Sequence, residues 1–199
     1  MQDELLFLGP DNSPLISWLK DHQGEHVTIK SHRLNEKDLD GQRYFFLVSY
    51  GYRYILSKEI LKMFPNRAIN LHISYLPWNR GSDPNFWSFI ENSPKGVTIH
   101  YLDEGIDTGD IIVQKKVHFD SDQETLFTTY NKLQTEIQEL FKINWNRIRT
   151  GNCQRQKQIG IGSVHKQKDK QKLKHLLRDG WNTPVSVLKQ LNPSDTMKD

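Results

Sequence analysis

The 199-residue chain is 36% hydrophobic and 26% charged, with 5 Trp, 9 Phe and 7 Tyr, so it can fill a core and is not a disordered segment. Its single cysteine, Cys153, excludes an intrachain disulfide and any multi-cysteine zinc site. The net charge of +3 hides an asymmetry: Arg147 to Arg178 holds ten Lys or Arg against one acid, Asp169. That segment is suited either to meeting phosphate or to forming a solvated helix with its flanking loops.

The chain opens with acidic residues, Asp3 and Glu4, where a signal peptide is basic, and the apolar run Leu5 to Leu8 is too short for one. No apolar run approaches the roughly 20 residues of a membrane helix. The expectation is a soluble, cytoplasmic protein without a membrane partner. Leu5 to Leu8 reads as a buried strand stopped by Gly9-Pro10. Ser13-Pro14 opens a helix that Gly24 closes. His26 to Lys30 alternates as a strand, and Tyr44 to Val48 suits a strand covered on both faces. Ser57 to Phe64 reads as a helix and Ala68 to His72 as a strand. A loop follows from Ser74 to Ser82, and Asp83-Pro84 opens a short helix. Gly96 to Leu102 and Ile111 to Val117 read as strands flanking a polar loop. Ser121 and Glu124 have capping-box spacing ahead of a helix running to Ile148. Asp169 to Leu177 is predicted helical, and Thr183-Pro184 caps a last helix to Leu191. This alternation predicts an α/β sheet with parallel strands at its centre. Residues 1–150 are expected to form one domain and residues 151–199 a basic extension packed on or beside it.

In open α/β sheets, ligands bind beyond the carboxyl ends of the strands. Two polar clusters fall at such ends: Asn70-x-His72-x-Ser74, and the loop from Asp103 to Asp110. Asn70 and His72, two apart on one strand, share a face. A neutral imidazole accepts a proton, an amide donates to a developing oxyanion, and a carboxylate can orient the imidazole. The same residue types serve equally as strand-end hydrogen bonds and turn formers. No local spacing supports a metal site, and Gly9 to Ser13 has too few glycines for a dinucleotide loop.

The joint pattern is more specific. Asn70-Leu71-His72-Ile73-Ser74-Tyr75-Leu76-Pro77, then Gly81, Pro84 and Trp87, then Gly96-Val97-Thr98-Ile99-His100-Tyr101-Leu102-Asp103-Glu104-Gly105-Ile106-Asp107-Thr108-Gly109-Asp110-Ile111-Ile112 resembles the folate-dependent formyltransferase family. The likeness is dense from about Tyr50 to Val117 and thin elsewhere. It implies a Rossmann-like formyltransferase fold, a mostly parallel central sheet flanked by helices. It further implies an N-formyltransferase with Asn70, His72 and Asp107 as catalytic residues, 10-formyltetrahydrofolate as cosubstrate and no metal. Arg53, Tyr54, Ile55, Leu56, Asp103, Glu104, Gly105, Ile106 and Asp107 become the implied folate contacts.

Among the family's branches, the Asn79-Arg80-Gly81 sequence after Leu76-Pro77 resembles the nucleotide-sugar N-formyltransferases. The acceptor this implies is a dTDP- or GDP-linked amino-deoxysugar made for a surface polysaccharide such as lipopolysaccharide O-antigen. Tyr75, Trp78, Arg80, Gly81 and His100 would then face it. Methionyl-tRNA enzymes carry a C-terminal barrel for which the stretch after Val117 leaves little room, and glycinamide ribonucleotide enzymes open with a glycine-rich loop not found here. A basic nucleic-acid-binding module is the reading from another class. The absence of aromatic residues for stacking bases between Arg147 and Arg178 counts against it. The sugar, the position of its amine and a homodimeric state are left open.

Overall fold

A computed structural model of the chain describes residues 3–120 and 123–189. A six-stranded sheet is formed by β1 (Glu4–Leu8), β2 (Val27–Lys30), β3 (Tyr44–Tyr50), β4 (Ala68–His72), β6 (Gly96–Tyr101) and β7 (Ile111–Lys116), in the order β2-β1-β3-β4-β6-β7. β1 pairs in parallel with β2 and β3, and β3 pairs in parallel with β4, placing Ser49 opposite Asn70. β6 runs the other way. The Leu102 amide donates to the Ala68 carbonyl, and Tyr101 to Asp110, so the end of β6 lies against the start of its neighbours. The sheet is therefore mostly parallel with one reversed strand, as the α/β reading expected.

Helices α1 (Pro14–Gln23), α2 (Lys58–Met63), α3 (Pro84–Ile90), α4 (Leu126–Arg149), α5 (Gln167–Gln171) and α6 (Val185–Lys189) complete the fold with a two-stranded pair, β5 (Arg80–Gly81) and β8 (Val164–His165). The chain divides into two compact units. One comprises the chain up to His72, Ile99–Ile112 and Phe141–Lys157; the other comprises Ile73–Thr98, Val113–Leu140 and the chain from Gln158 on.

In the first unit, Leu5, Leu6, Phe7 and Leu8 are all completely buried, which a strand with helices on both faces requires. Leu6, Leu8, Leu47 and Ala68 pack with Ile60 and Phe64 around α2. Phe46 meets Trp145 edge-on at 5.4 Å, and Trp18 meets Phe141 at 6.1 Å. In the second unit, Phe86, Trp87, Phe89 and Ile90 of α3 join Leu126, Val185 and Leu188 in a separate apolar cluster.

Three local expectations differ from the structure. α4 starts at Leu126: Thr125 and Thr128 exchange amide-to-hydroxyl bonds at its first turn, while the Glu124 carbonyl accepts from Val185. Ser121, the proposed cap, lies outside the described residues. The stretch 169–177 is not one helix but α5 followed by a 3-10 turn at Lys174–Leu176, since its charged residues leave little apolar stripe to hold a longer one. The loop 74–82 contributes β5, whose partner β8 lies some eighty residues further on. The last helix is described to Lys189, so its expected end at Leu191 also falls outside the described residues.

Candidate active site

β4 delivers two polar side chains on one face. Asn70 and His72 follow the buried Ile69 and Leu71, and strand alternation turns the polar pair together. The reversed direction of β6 brings His100 beside Asn70, with Nδ2 of the amide 3.3 Å from the imidazole Nε2. The fourth member arrives from the loop between β6 and β7. Asn70 Nδ2 donates to Asp107 Oδ1 at 3.1 Å. His100 Nε2 lies 3.4 Å from the same oxygen, and His72 Nε2 lies 3.7 Å from Oδ2. The structure thus brings Asn70, His72, His100 and Asp107 into one cluster.

Local interactions hold the loop in that shape. Asp107 sits in the left-handed region at φ 52°, a conformation Asp tolerates better than most residues. Asp103 Oδ1 accepts from the Gly105 amide and the Thr108 hydroxyl, closing the turn around it. A side chain at Gly109 would meet the Tyr101 carbonyl oxygen at 1.8 Å, so only glycine lets the loop come this close to β6.

The hydrogen bonds constrain the protons. His100 Nδ1 is 2.8 Å from the Tyr101 carbonyl, an acceptor only, so that nitrogen carries the hydrogen. In neutral His100, Nε2 is then a lone pair that accepts from Asn70. In charged His100 the same nitrogen donates to Asp107 instead. His100 is 1% exposed; besides its contacts with Asn70 and Asp107 it meets the His72 ring edge-on, with centroids 6.4 Å apart. His72 and Asp107 retain 9% and 13% side-chain exposure, enough for an incoming small group to reach them.

The implied folate contacts also belong to the first unit. Tyr54, Ile55 and Ile106 are large apolar side chains left 41%, 68% and 37% exposed. Tyr52, which is not among the implied contacts, anchors this stretch. Its hydroxyl accepts from the Leu34 amide and donates to the His32 carbonyl, and its ring packs edge-on against Tyr54. Burial raises the Tyr52 hydroxyl above its usual pKa. Lys58 pairs with Glu104 at 2.7 Å, tying the start of α2 to the Asp107 loop. The alternation of Tyr52 with Tyr54 was the only sequence signal for the first, and nothing marked the second.

The expected acceptor residues other than His100 lie in the second unit. Arg80 donates to Gln158 Oε1 through Nε and Nη2, at 3.0 and 2.6 Å. A Cβ on Gly81 would meet the His165 carbonyl oxygen at 2.2 Å. Lys116 lies over the Tyr75 ring, and Trp78 is 37% exposed. Within the basic segment, Arg149 pairs with Glu25, Arg155 with Asp110 and Lys170 with Asp83, so three of its cations have acidic partners within the chain. Among the described residues, no three His, Cys, Asp or Glu side chains are arranged to hold a metal ion. No helix among them is long and apolar enough to cross a membrane.

A family model described as formyl transferase matches residues 23–142. With the sheet and the four-residue cluster in place, the chain belongs to that family. Among solved structures it is 48% identical to the formyltransferase PseJ from Anoxybacillus kamchatkensis, with a TM-score of 0.89 over 94% of this chain and 100% of PseJ. PseJ was crystallised with UDP-4,6-dideoxy-4-formamido-L-AltNAc and tetrahydrofolate. A sugar N-formyltransferase from Shewanella sp FDAARGOS_354 is 25% identical, with a TM-score of 0.75 over 95% of this chain and 87% of that one. Methionyl-tRNA formyltransferase from Clostridioides difficile (strain 630) is 37% identical over 113 residues, 56% of this chain and 36% of that protein. The matched stretch thus spans about a third of the length of such curated relatives.

Proposed function

We propose that this protein transfers a formyl group from 10-formyltetrahydrofolate to the amine of a nucleotide-linked amino-deoxysugar, for use in a surface polysaccharide. The observation that carries the reading is the convergence of Asn70, His72, His100 and Asp107 through contacts of 3.1–3.7 Å, in a chain 48% identical to PseJ over 94% of its length. The sequence pointed to a dTDP- or GDP-linked acceptor. The UDP-sugar bound to PseJ makes UDP the nucleotide we favour. Residues 151–199 are taken as a basic extension of the catalytic region 1–150.

The residues present fit a folate. Tyr54, Ile55 and Ile106 offer exposed apolar surface that a flat heteroaromatic ring would cover, beside Arg53 and Leu56 in sequence. Backbone groups of the 103–107 turn, from Asp103 and Glu104 through Gly105, would supply its hydrogen bonds. When bound, the cosubstrate supplies the formyl group on a nitrogen that departs as a secondary amine.

The chain's own residues then answer two charges. Attack by an amine places negative charge on the formyl oxygen and positive charge on the attacking nitrogen. An Asn70 N–H and protonated His72 donate to the oxygen, and such donors are each worth about 10²–10³ in rate. Asp107 draws the proton from the ammonium, would pass it on to the departing nitrogen so that it leaves as a neutral amine, and steadies the His72 imidazolium. Its separation of 3.7 Å from His72 is long for a hydrogen bond, as apo catalytic contacts often are. His100 acts as a positioning residue. When charged it donates to Asp107 and releases an Asn70 N–H that neutral His100 otherwise holds.

A second reading, formylation of methionyl-tRNA, is favoured by the 37% identity to the Clostridioides difficile enzyme. Incubation with 10-formyltetrahydrofolate and UDP-, dTDP- and GDP-linked amino-deoxysugars, glycinamide ribonucleotide and methionyl-tRNA separates the readings. Formyl mass gained by an aminosugar is expected. Formylation of methionyl-tRNA alone would replace that acceptor.

A further inference from the structure

Residues 151–157 return from α4 to the sheet and belong to the first unit, although they follow the stretch 23–142 that the family model matches. Their attachment is specific. The Gln156 amide donates to the Ile111 carbonyl at 2.9 Å, and the Ile111 amide donates back to the Gln156 carbonyl at 2.7 Å. Ile111 is the first residue of β7, so this bridge sets residue 155 beside Asp110, the last residue of the loop that carries Asp107. Arg155 uses that placement in three directions. Its Nε donates to Asp110 Oδ2 at 3.2 Å, its guanidinium carbon lies 4.0 Å from the centre of the Tyr101 ring, and Nη1 donates to Asn66 Oδ1.

Each partner belongs to a segment that presents a site residue. Tyr101 ends β6 next to His100, and its carbonyl accepts from His100 Nδ1. The Asp110 carbonyl accepts from the Tyr101 amide at 2.9 Å, which closes the loop between them. Asn66, in the left-handed region at φ 59°, lies in the turn between α2 and β4, the strand of Asn70 and His72. One planar group therefore ties the base of the Asp107 loop to the ends of the two strands that Asp107 faces. The cation and its carboxylate are 41% and 31% exposed, and exposed pairs of that kind contribute little to stability. What a rigid fork stacked on a ring contributes is direction, which an ammonium on a flexible stem does not reproduce.

We propose that Arg155 is a positioning residue for formyl transfer, holding the exit of the loop so that Asp107 stays against Asn70 and His72. The inference rests on the role given to Asp107 above. Steady-state kinetics of the full chain, with whichever acceptor of the panel above the wild type formylates, tests it. Arg155→Ala is expected to lower kcat by about 10- to 100-fold with KM for the acceptor within about twofold, since a misplacement of about 1 Å at a reacting group carries a loss of that size. Arg155→Lys keeps the charge, loses the fork and is expected to fall between. Arg149→Gln, which removes the cation paired with Glu25, is the control and should turn over as wild type does. Unfolding midpoints near wild type exclude a general loss of fold. Should Arg155→Ala unfold, Asp110→Asn weakens the same bond from the other side without loss of bulk, and a lowered kcat is expected there too. A normal kcat in the folded variant, or a loss confined to KM, overturns the proposal, and full activity in Arg155→Lys overturns the need for the fork. Asp107→Ala run alongside separates the failures. If it keeps turnover, the role of Asp107 falls and the clamp with it; if it is inactive while Arg155→Ala is not, the clamp alone falls. Wild type that formylates nothing removes the functional reading and this role together.

Discussion

Two clusters in this chain both combine asparagine, histidine and a carboxylate, yet differ in how tightly they are bonded. Around Asp107 the contacts with Asn70, His100 and His72 run from 3.1 to 3.7 Å. Around Glu91 every contact is short. Oε2 accepts from Asn79 at 2.8 Å and Ser163 at 2.7 Å, and Oε1 lies 2.7 Å from His165 Nε2. Asn79 Oδ1 accepts from Ser93, and the His165 ring lies flat on Trp87 with centroids 3.9 Å apart. Residue type does not separate a reactive site from a structural one. Contact length does here, 3.1–3.7 Å around Asp107 against 2.7–2.8 Å around Glu91, since catalytic contacts often stay long until substrate is bound.

The largest effect expected from this contrast is on turnover. His72→Asn and Asp107→Ala should each lower formyl transfer by about 10²–10³ while circular dichroism and the unfolding midpoint stay near wild type. Near-normal turnover in either removes that residue from the chemistry.

The matching change in the other cluster should act on stability instead. Glu91→Gln places an amide where three donors converge and should cost about 1–3 kcal/mol in denaturant unfolding, with modest effect on turnover at low temperature. Its pH dependence has a defined sign. Burial alone would raise the Glu91 carboxyl, but bonds from His165, Ser163 and Asn79 outweigh it and hold the group below its ordinary 4.5. The stabilisation is therefore complete above about pH 4.5 and fades as pH falls through the lower folded value. The stability gap between wild type and Glu91→Gln should be constant at neutral pH and narrow in acid. A gap that widens in acid contradicts the assignment.

The smallest effect concerns Lys95, whose ammonium donates to the Ser88 and Ser93 carbonyls. Burial, with Lys189 adding to it, pushes its pKa down to about 8 from 10.5. Between those values the unfolded chain binds a proton that the folded chain does not, so stability gains a rising contribution with pH. Lys95→Met should remove that contribution, visible as a flatter stability curve across the same window.

Much of the first unit was legible because it depends on local pattern. The apolar runs Leu5 to Leu8 and Tyr44 to Val48, the Pro14 start and the Gly24 stop of α1 all sit where residue chemistry puts them. The placement of Asn70 and His72 on one strand face followed from alternation alone. What could not be read was anything set by distant partners. The reversed direction of β6 puts His100 against Asn70, yet its sequence alternates as a strand of either direction would. Arg80 finds Gln158, 78 residues away, in a polar stretch without periodicity. The capping of α4 by Thr125 and Thr128 competed with an equally good spacing at Ser121 and Glu124. The pairing of Glu91 with His165 had no short-range signal.

The parallel pairing of Val164 and His165 with Arg80 and Gly81 makes the late polar stretch part of the framework of the second unit. An engineer who clips the chain after Lys157, taking the lysine-rich remainder for dispensable baggage, strips Glu91 of two of its three donors and uncovers one face of Trp87. Fusion partners and affinity handles therefore belong outside that stretch.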